Sequence, residues 1–243
     1  MNKGKMAFGI IGALGVAVFI AAILIGILMF ESGAFSPLNG FVGELGVYPG
    51  AYLTSSTALI FNICLAVSGL LLAAFMVGYG IQRNSPLFTA ASFFGILTGI
   101  LIVAQAVFSL NFTAYHYIVT IALFGSVILT GVLLIIALSI ADKLHIPSIG
   151  SSVLALGAAG LSAAFVYFMA QGGMAQVFVE DASQVARPSL MPFALIEWLA
   201  LILVFGLLCL LAIRMIMQAL PKSKTTDKIA DKAAKNNERG AQL

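Results

Sequence analysis

MAFGIIGALGVAVFIAAILIGILMF, residues 6 to 30, is an uninterrupted apolar run that follows Lys3 and Lys5. About 20 apolar residues in a helix span the roughly 30 Å hydrocarbon core of a bilayer, so this run can cross it with some tilt. A signal peptide has a shorter apolar core, followed by a small-residue cleavage site that we do not find here. The run therefore predicts a first transmembrane helix, which ends before Glu31.

The remainder of the chain is equally apolar. Of its 243 residues, 61% are hydrophobic and 9% are charged, whereas about 25% are charged in a typical soluble domain. Five further apolar runs lie at 55–80, 86–109, 115–139, 149–170 and 192–218. We predict an all-α fold, a polytopic membrane protein whose residues 1–220 form a six-transmembrane-helix bundle. Residues 221–243 form a basic polar tail that we expect to be disordered.

Basic residues predict the orientation, because Lys and Arg near the ends of transmembrane helices stay mainly in the cytoplasm. An even number of spans places both termini on one side of the membrane. With both termini in the cytoplasm, only Arg187 among the 12 basic residues falls on the outer side. We therefore predict a multi-pass protein of the cell membrane with cytoplasmic N- and C-termini.

The first and last outer connections are long, roughly twenty residues each, and connections of that length are often functional or disordered. In the first, Ser36 can cap a short helix that begins at Pro37 and ends at Gly46. This helix would present one apolar face to the mouth of the bundle. That face consists of Leu38, Phe41, Val42 and Leu45. The last outer connection, residues 172–191, is predicted to be mobile or to fold over the same mouth.

Polar side chains inside the predicted spans are few, and each is a candidate for function because burying it in a membrane is unfavourable. At about 1.5 Å rise per residue, four of them lie within about 10 Å of the predicted outer surface. They come from four different helices and lie beneath the loop that carries two more polar residues. The predicted ligand-binding residues are Asn39, Glu44, Asn62, Gln105, His116 and Glu197.

Two interpretations of this layer remain open. The side chains can satisfy one another and the irregular backbone of the loop, which is a structural role. They can instead line a polar pocket that holds a headgroup, a small solute or a proton. Glu197, next to Trp198, is the residue best placed to exchange a proton, although a position beside an interfacial tryptophan also suits an anchor.

Several chemistries find no support in the sequence. His116 and His145 fall on opposite sides of the bilayer, so they cannot ligate one haem, and we expect no metal and no cofactor. No G-x-S-x-G nucleophile motif is present, and no catalytic residue can be assigned. Cys64 and Cys209 lie within apolar runs, which favours packing over a disulfide. The basic tail lacks the aromatic residues of single-stranded nucleic-acid binders, so we expect no nucleic-acid partner.

Small residues indicate where helices approach closely. Gly95 and Gly99 form a G-x-x-x-G pair in the third predicted helix, and Gly157 and Gly160 are similarly spaced in the fifth. We expect these glycines to pack within the chain. A homo-oligomer interface is the alternative.

These observations favour a non-enzymatic membrane protein that binds or senses a lipid headgroup or a small amphiphile, with membrane lipids as partners. One alternative is a small-solute or proton-coupled transporter, whose inner half Ser126, Thr130 and Ser139 would line. A second is an intramembrane hydrolase that uses His116 and Glu197. A third is an accessory subunit of a membrane complex.

The sequence resembles a known family in the runs SPLNGFVGELG, PGA, IFNICLAVSGLLLAAF and LIEWLALILVF. These runs are similar to the domain of unknown function 998 family, six-helix membrane proteins of archaea and bacteria, over nearly the whole chain. The matching positions are Ser36, Pro37, Glu44, Leu45, Gly46, Phe61, Asn62, Gly69, His116 and Glu197. Trp198 departs from the basic residue expected there in many relatives, which argues against an ion pair within the helix. A looser similarity extends to the damage-regulated autophagy modulator group, and neither resemblance implies an established reaction.

Overall fold

A computed structural model describes residues 2–30, 35–47, 56–83, 85–141, 146–171 and 188–221, with no side-chain description for 141 and 146–148. Within these ranges the chain is helical and contains no strand. The six long helices are α1 Lys3–Leu28, α2 Ser56–Arg83, α3 Pro86–Val107, α4 Thr113–Ala141, α5 Ile146–Ala170 and α6 Pro192–Ala219. Each contains a segment long and apolar enough to cross a bilayer, which indicates a multi-pass integral membrane protein. The predicted all-α six-helix architecture is confirmed.

Local sequence signals explain several helix ends. Asn2 precedes α1, and its side chain accepts a hydrogen bond from the Lys5 backbone N–H at 3.2 Å. Pro86 and Pro192 occupy the first positions of α3 and α6. Proline suits this position because a helix leaves the N–H groups of its first turn unbonded in any case.

The six helices form a closed ring. Each packs against its neighbours in sequence, and α6 packs back against α1. The Asn2 N–H donates to the Ala219 carbonyl at 3.2 Å, so the start of α1 adjoins the end of α6. Farther along the same interface the rings of Phe19 and Phe205 stack with centroids 3.5 Å apart.

Glycines allow α2 and α3 to approach closely. A Cβ placed on Gly99 would lie 2.7 Å from the Ala73 nitrogen and 2.7 Å from the Gly69 carbonyl oxygen. Gly95 faces the side chain of Met76, also in α2. The G-x-x-x-G pair therefore packs within the chain, as predicted. In α5, Gly157 packs against Leu203.

The same expectation is wrong for Gly160. A Cβ placed there would have no described atom within 4 Å, so this glycine mediates no close helix contact among the described residues. Gly160 is exposed, whereas Gly157 is partly buried.

One end of the ring is covered by residues 35–47, which we call the cap. The predicted helix from Pro37 to Gly46 is not formed as a single helix. Residues 37–39 form a turn, in which the Gly40 N–H donates to the Ser36 carbonyl at 2.8 Å, and Val42–Gly46 form a 3-10 helix.

The break between these two parts occurs at Phe41, which has extended backbone angles. The Phe41 N–H donates to Glu44 Oε1 at 3.1 Å, so the carboxylate begins a new turn and the earlier one ends. Phe41, Val42 and Leu45 are buried as predicted, whereas Leu38 is 50% exposed.

Charged side chains within the described part of the chain separate between the two ends of the ring. Glu44 and Glu197, the described carboxylates, lie at the capped end. The described cations belong to the opposite end, where α1 begins and where α2 and α6 finish. They are Lys3, Lys5, Arg83 and Arg214.

Some sequence predictions lie outside the described residues. They concern His145 and Arg187, residues 172–187 of the last outer connection, and the tail from residue 222. The described end of that connection does reach the cap, since the Met191 N–H donates to the Leu38 carbonyl at 2.8 Å.

Candidate functional site

A cavity of about 50 Å³ lies inside the ring directly beneath the cap. A buried water needs about 10 to 15 Å³ by the same measure, so the cavity has room for a few waters or one small polar group. Its polar lining residues are Asn62, Gln105, Ser109, His116, Thr120 and Glu197. Aromatic and aliphatic side chains form the rest of the wall, including Phe19, Phe61, Leu65, Phe124 and Phe205.

Glu197 joins the cavity to the cap. It lies in the second turn of α6, is 8% exposed, and its Oε2 accepts a hydrogen bond from the Val42 N–H at 3.0 Å. Among the residues that the structure describes, no other donor bonds this carboxylate. One oxygen therefore holds the 3-10 helix in place, and the other remains available as an acceptor.

His116 contributes a second acceptor. Its Nδ1 lies 2.8 Å from the Phe108 carbonyl oxygen, and a carbonyl only accepts, so Nδ1 carries the hydrogen. In the neutral ring Nε2 then presents a lone pair. A Cβ placed on Gly43 would lie 2.9 Å from this Nε2, so the cap can pass over the imidazole only because residue 43 has no side chain.

Two further bonds position the α3 and α4 side of the cavity. Gln105 Nε2 donates to Thr120 Oγ1 at 2.6 Å, and Thr120 Oγ1 donates to the His116 carbonyl at 2.7 Å. The Gln105 amide oxygen has no donor among the described residues and adds a neutral acceptor to the site.

Asn62 ties α2 to the end of the cap. Its Nδ2 donates to the Gly46 carbonyl at 3.0 Å, and the side chain is buried. A Cβ on Gly46 would collide with the Asn62 amide, so glycine is required at residue 46 for this contact. Asn62 therefore lines the cavity and also holds the cap.

Asn39 and Glu44 belong to the cap and do not line the cavity. Asn39 Nδ2 donates to the Pro188 carbonyl at 3.3 Å, which links the cap to the residues before α6. Glu44 bonds the Phe41 N–H within the cap. Trp198 reinforces the same region, because its Nε1 donates to the Gly40 carbonyl at 2.8 Å.

Sequence reasoning did not identify Gly43, Ser109 and Thr120 as part of this site. Thr120 could have been found, because it follows His116 by four residues and therefore lies on the same face of α4. Gly43 gives no comparable signal, since its role depends on how closely the cap approaches α4.

A second cavity, of about 30 Å³, lies deeper in the ring and shares Ile102 with the first. Its wall is mainly apolar. Thr98 Oγ1 and Ser126 Oγ are 2.8 Å apart beside it, and each also lies within hydrogen-bonding distance of a carbonyl oxygen of its own helix. A hydroxyl has one hydrogen, so when one of the two donates to the other, only the second donates to its carbonyl. Ser139 lies instead in a groove between α4 and α5, so the three hydroxyls expected along a transport route do not share one cavity.

The other chemistries have little geometric support within the described ranges. No hydroxyl there bonds His116 Nε2, as an intramembrane hydrolase would need. No group of three or more His, Cys, Asp or Glu side chains is placed there to hold a metal ion. Cys64 and Cys209 are both free thiols.

Comparison of the chain with protein-family models, with curated proteins and with solved structures gave no match. The chemistry of the cavity is therefore the basis on which a function can be argued.

Proposed function

We propose that this integral membrane protein binds a small cationic, donor-rich group in the cavity beneath the cap, namely the ammonium of a lipid headgroup or of a small amphiphile. The observation that carries the proposal is the Glu197 carboxylate. It lines the cavity with one oxygen bonded to the Val42 N–H and the other without a described partner.

The polar atoms available in the cavity are mainly acceptors. Glu197 Oε1, His116 Nε2 and the Gln105 amide oxygen all accept hydrogen bonds, whereas an ammonium group offers three donors. Aromatic rings also favour a cation, and Phe19, Phe61 and others form the wall. These acceptors suit a primary ammonium, because a quaternary ammonium has no N–H to donate.

Charge supports the same ligand class. A buried carboxylate is unfavourable unless a cation or a proton neutralises it. The described cations lie at the opposite end of the ring, so none of them can neutralise Glu197. A ligand ammonium would supply the missing charge.

Size limits how the ligand is held. A volume of about 50 Å³ accepts an ammonium with few attached atoms and excludes a whole lipid. The hydrocarbon part of the ligand would therefore remain outside the cavity. This arrangement suits a protein that senses or retains an amphiphile at one leaflet.

The test compares Glu197→Gln with Glu44→Gln in otherwise full-length protein. Glutamine keeps a carbonyl oxygen that can accept the Val42 N–H, so the cap should stay in place while the charge is lost. Glu44→Gln removes a carboxylate from the same end without touching the cavity wall. Native mass spectrometry in nanodiscs would measure retention of phosphatidylethanolamine, phosphatidylcholine and dodecylamine.

We expect Glu197→Gln to weaken binding of the two primary amines at least about tenfold, the effect of losing a hydrogen-bonded charge. Glu44→Gln should bind as wild type. Equal retention in both variants would contradict a role for Glu197. Wild type that retains neither amine would show that the polar layer only fixes the cap.

We also infer the orientation. The separation of described charges supports a cytoplasmic location for the end that carries Lys3, Lys5, Arg83 and Arg214, and hence for both termini. The capped end then faces outward. Membership in the domain of unknown function 998 family stays a prediction.

A further inference from the structure

Three cavities follow one another along the inside of the ring. The cavity beneath the cap and the second cavity are each lined by residues from five of the six helices, so both lie near the centre of the ring. They share Ile102 of α3. A third cavity, of about 10 Å³, lies at the end opposite the cap. We call this series of cavities the axial path.

The second and third cavities are separated by about one helical turn. On α2, Met76 lines the second cavity and Tyr79 lines the third. On α6, Leu208 and Leu211 do the same. Both pairs are three residues apart, which is about 4.5 Å along a helix. The axial path is therefore interrupted at two places, at Ile102 and over this short distance.

Water has both room and partners in the second cavity. Its volume of about 30 Å³ holds about two water molecules. Much of its wall is apolar, and water occupies such a cavity only where polar groups can bond it. Thr98 and Thr130 both line the cavity, and each hydroxyl oxygen keeps a lone pair after donating to a carbonyl of its own helix.

An ion would not cross this part of the path easily. Among the described residues in the wall of the second cavity, none carries a charge. An ion that left its water shell to enter would therefore lose hydration without gaining a counter-ion. A proton has a different route, because it passes between hydrogen-bonded waters and hydroxyls, as in the proton relays of membrane proteins.

We propose that the axial path transfers protons between Glu197 and the end of the ring opposite the cap. The Glu197 O–H bond breaks as a water takes its proton. Each water or hydroxyl that follows gains one O–H bond and loses another, and the last water releases a proton to solvent. The proposal goes beyond binding of an ammonium group and does not depend on it, since a proton alone also neutralises this buried carboxylate.

The other titratable and charged groups lie at the two ends of the axial path. His116 lines the same cavity as Glu197, and its Nε2 lone pair can also accept a proton. Glu44 belongs to the cap above. The third cavity is lined by Tyr79 and by three basic side chains, Lys5, Arg83 and Arg214. Between the ends, water and hydroxyls must carry the proton.

Ile102 is the barrier between the first two cavities. Its side chain is 5% exposed and has no group that can bond water. If it moves to a less favourable rotamer, the waters on its two sides can meet. That movement reduces the rate of transfer by about two- to tenfold.

The experiment measures proton flux into vesicles of phosphatidylcholine and phosphatidylglycerol that contain the full-length protein. Neither lipid has a primary amine, so Glu197 is not occupied by an ammonium headgroup. A potassium gradient with valinomycin drives the protons, and trapped pyranine reports the internal pH. We expect wild type to acidify the vesicles faster than protein-free vesicles acidify.

The first pair of variants tests the barrier. Ile102→Ala opens the partition and should raise the flux about two- to tenfold, the factor by which the side chain slows it. Ile100→Ala makes the same change two residues away on α3, where the side chain is 52% exposed. This control should conduct as wild type.

The second pair tests the hydroxyl in the middle of the path. Thr98→Val keeps the shape of the side chain and removes the hydroxyl, which should lower the flux about fivefold, the effect of one lost hydrogen bond. Thr98→Ser keeps the hydroxyl and should conduct as wild type. Glu197→Gln cannot release a proton and should lower the flux at least about tenfold.

Thermal unfolding shows which variants remain folded, and only variants that unfold like wild type are compared. Wild-type flux no faster than that of protein-free vesicles would overturn the proposal. Equal flux in Thr98→Val and Thr98→Ser would overturn it as well. So would equal flux in Ile102→Ala and Ile100→Ala, because a leak around the protein does not depend on the axial path.

Discussion

Replacing Gly99 with alanine should weaken the bundle at its closest helix contact. The new Cβ would lie 2.7 Å from both the Ala73 nitrogen and the Gly69 carbonyl oxygen. Ordinary van der Waals contacts begin near 3.4 Å. Both neighbours are backbone atoms, which cannot rotate away as a side chain can. The axes of α2 and α3 must therefore separate by on the order of half an ångström or more, and close packing along the interface is lost.

The size of the effect follows from two opposing terms. Overpacking a well-packed interior costs about 1 to 3 kcal/mol. Alanine recovers up to about 1 kcal/mol of helix propensity relative to glycine. We expect Gly99→Ala to lower the free energy of unfolding by about 1 to 2 kcal/mol.

Gly206→Ala is the matched control, because a Cβ on Gly206 would have no described atom within 4 Å. It changes propensity without overpacking, so it should be neutral or slightly stabilising. Reversible unfolding in mixed micelles, followed by circular dichroism at increasing denaturing detergent, measures both variants. Equal stability of Gly99→Ala and Gly206→Ala would refute the close approach of α2 and α3.

Two further predictions concern the capped end. Trp198→Phe removes the N–H that bonds the Gly40 carbonyl but keeps an aromatic ring near Phe35. It should lower the unfolding free energy by about 1 kcal/mol and speed proteolysis of the cap. Unaltered stability and cleavage would show that this bond does not hold the cap. Leu38→Cys, in a chain whose native cysteines are replaced by alanine, should react with an impermeant maleimide on intact cells, because Leu38 is half exposed at the end proposed to face outward. Lys3→Cys should react only after the cells are opened, and the reverse pattern would invert the orientation.

The architecture was predictable because its signals are local. A span of about 20 apolar residues can be recognised from its own sequence. Pro86 and Pro192 mark helix starts for a reason that involves only the first turn.

The cap was less predictable because its shape depends on bonds between its own residues and the bundle. Ser36, Pro37 and Gly46 are suitable ends for one helix, yet Glu44 bonds the Phe41 N–H and begins a second turn. The Val42 N–H is bonded by Glu197, which is 155 residues away in sequence. The conformational preferences of the cap residues themselves therefore cannot predict this bond.

The position of the polar layer along the helices was predictable from the sequence, but its hydrogen bonds were not. Helix rise places Asn62, Gln105, His116 and Glu197 at similar depths, and all four line one cavity. Which atoms remain available as acceptors depends on bonds across helices. Gly43 could not be predicted for the same reason, because its role depends on a contact between the cap and α4. Without a side chain at residue 43, the cap can lie against the His116 ring.

Closure of the ring between α1 and α6 has a consequence for biosynthesis. Because synthesis proceeds from the N-terminal side, α1 is made before α6 and gains this second neighbour only when α6 has been inserted. Until then the face of α1 that meets Phe205 is covered by lipid or by other proteins, and the cavity lacks the wall that carries Glu197. A chain arrested before α6 therefore has no complete site.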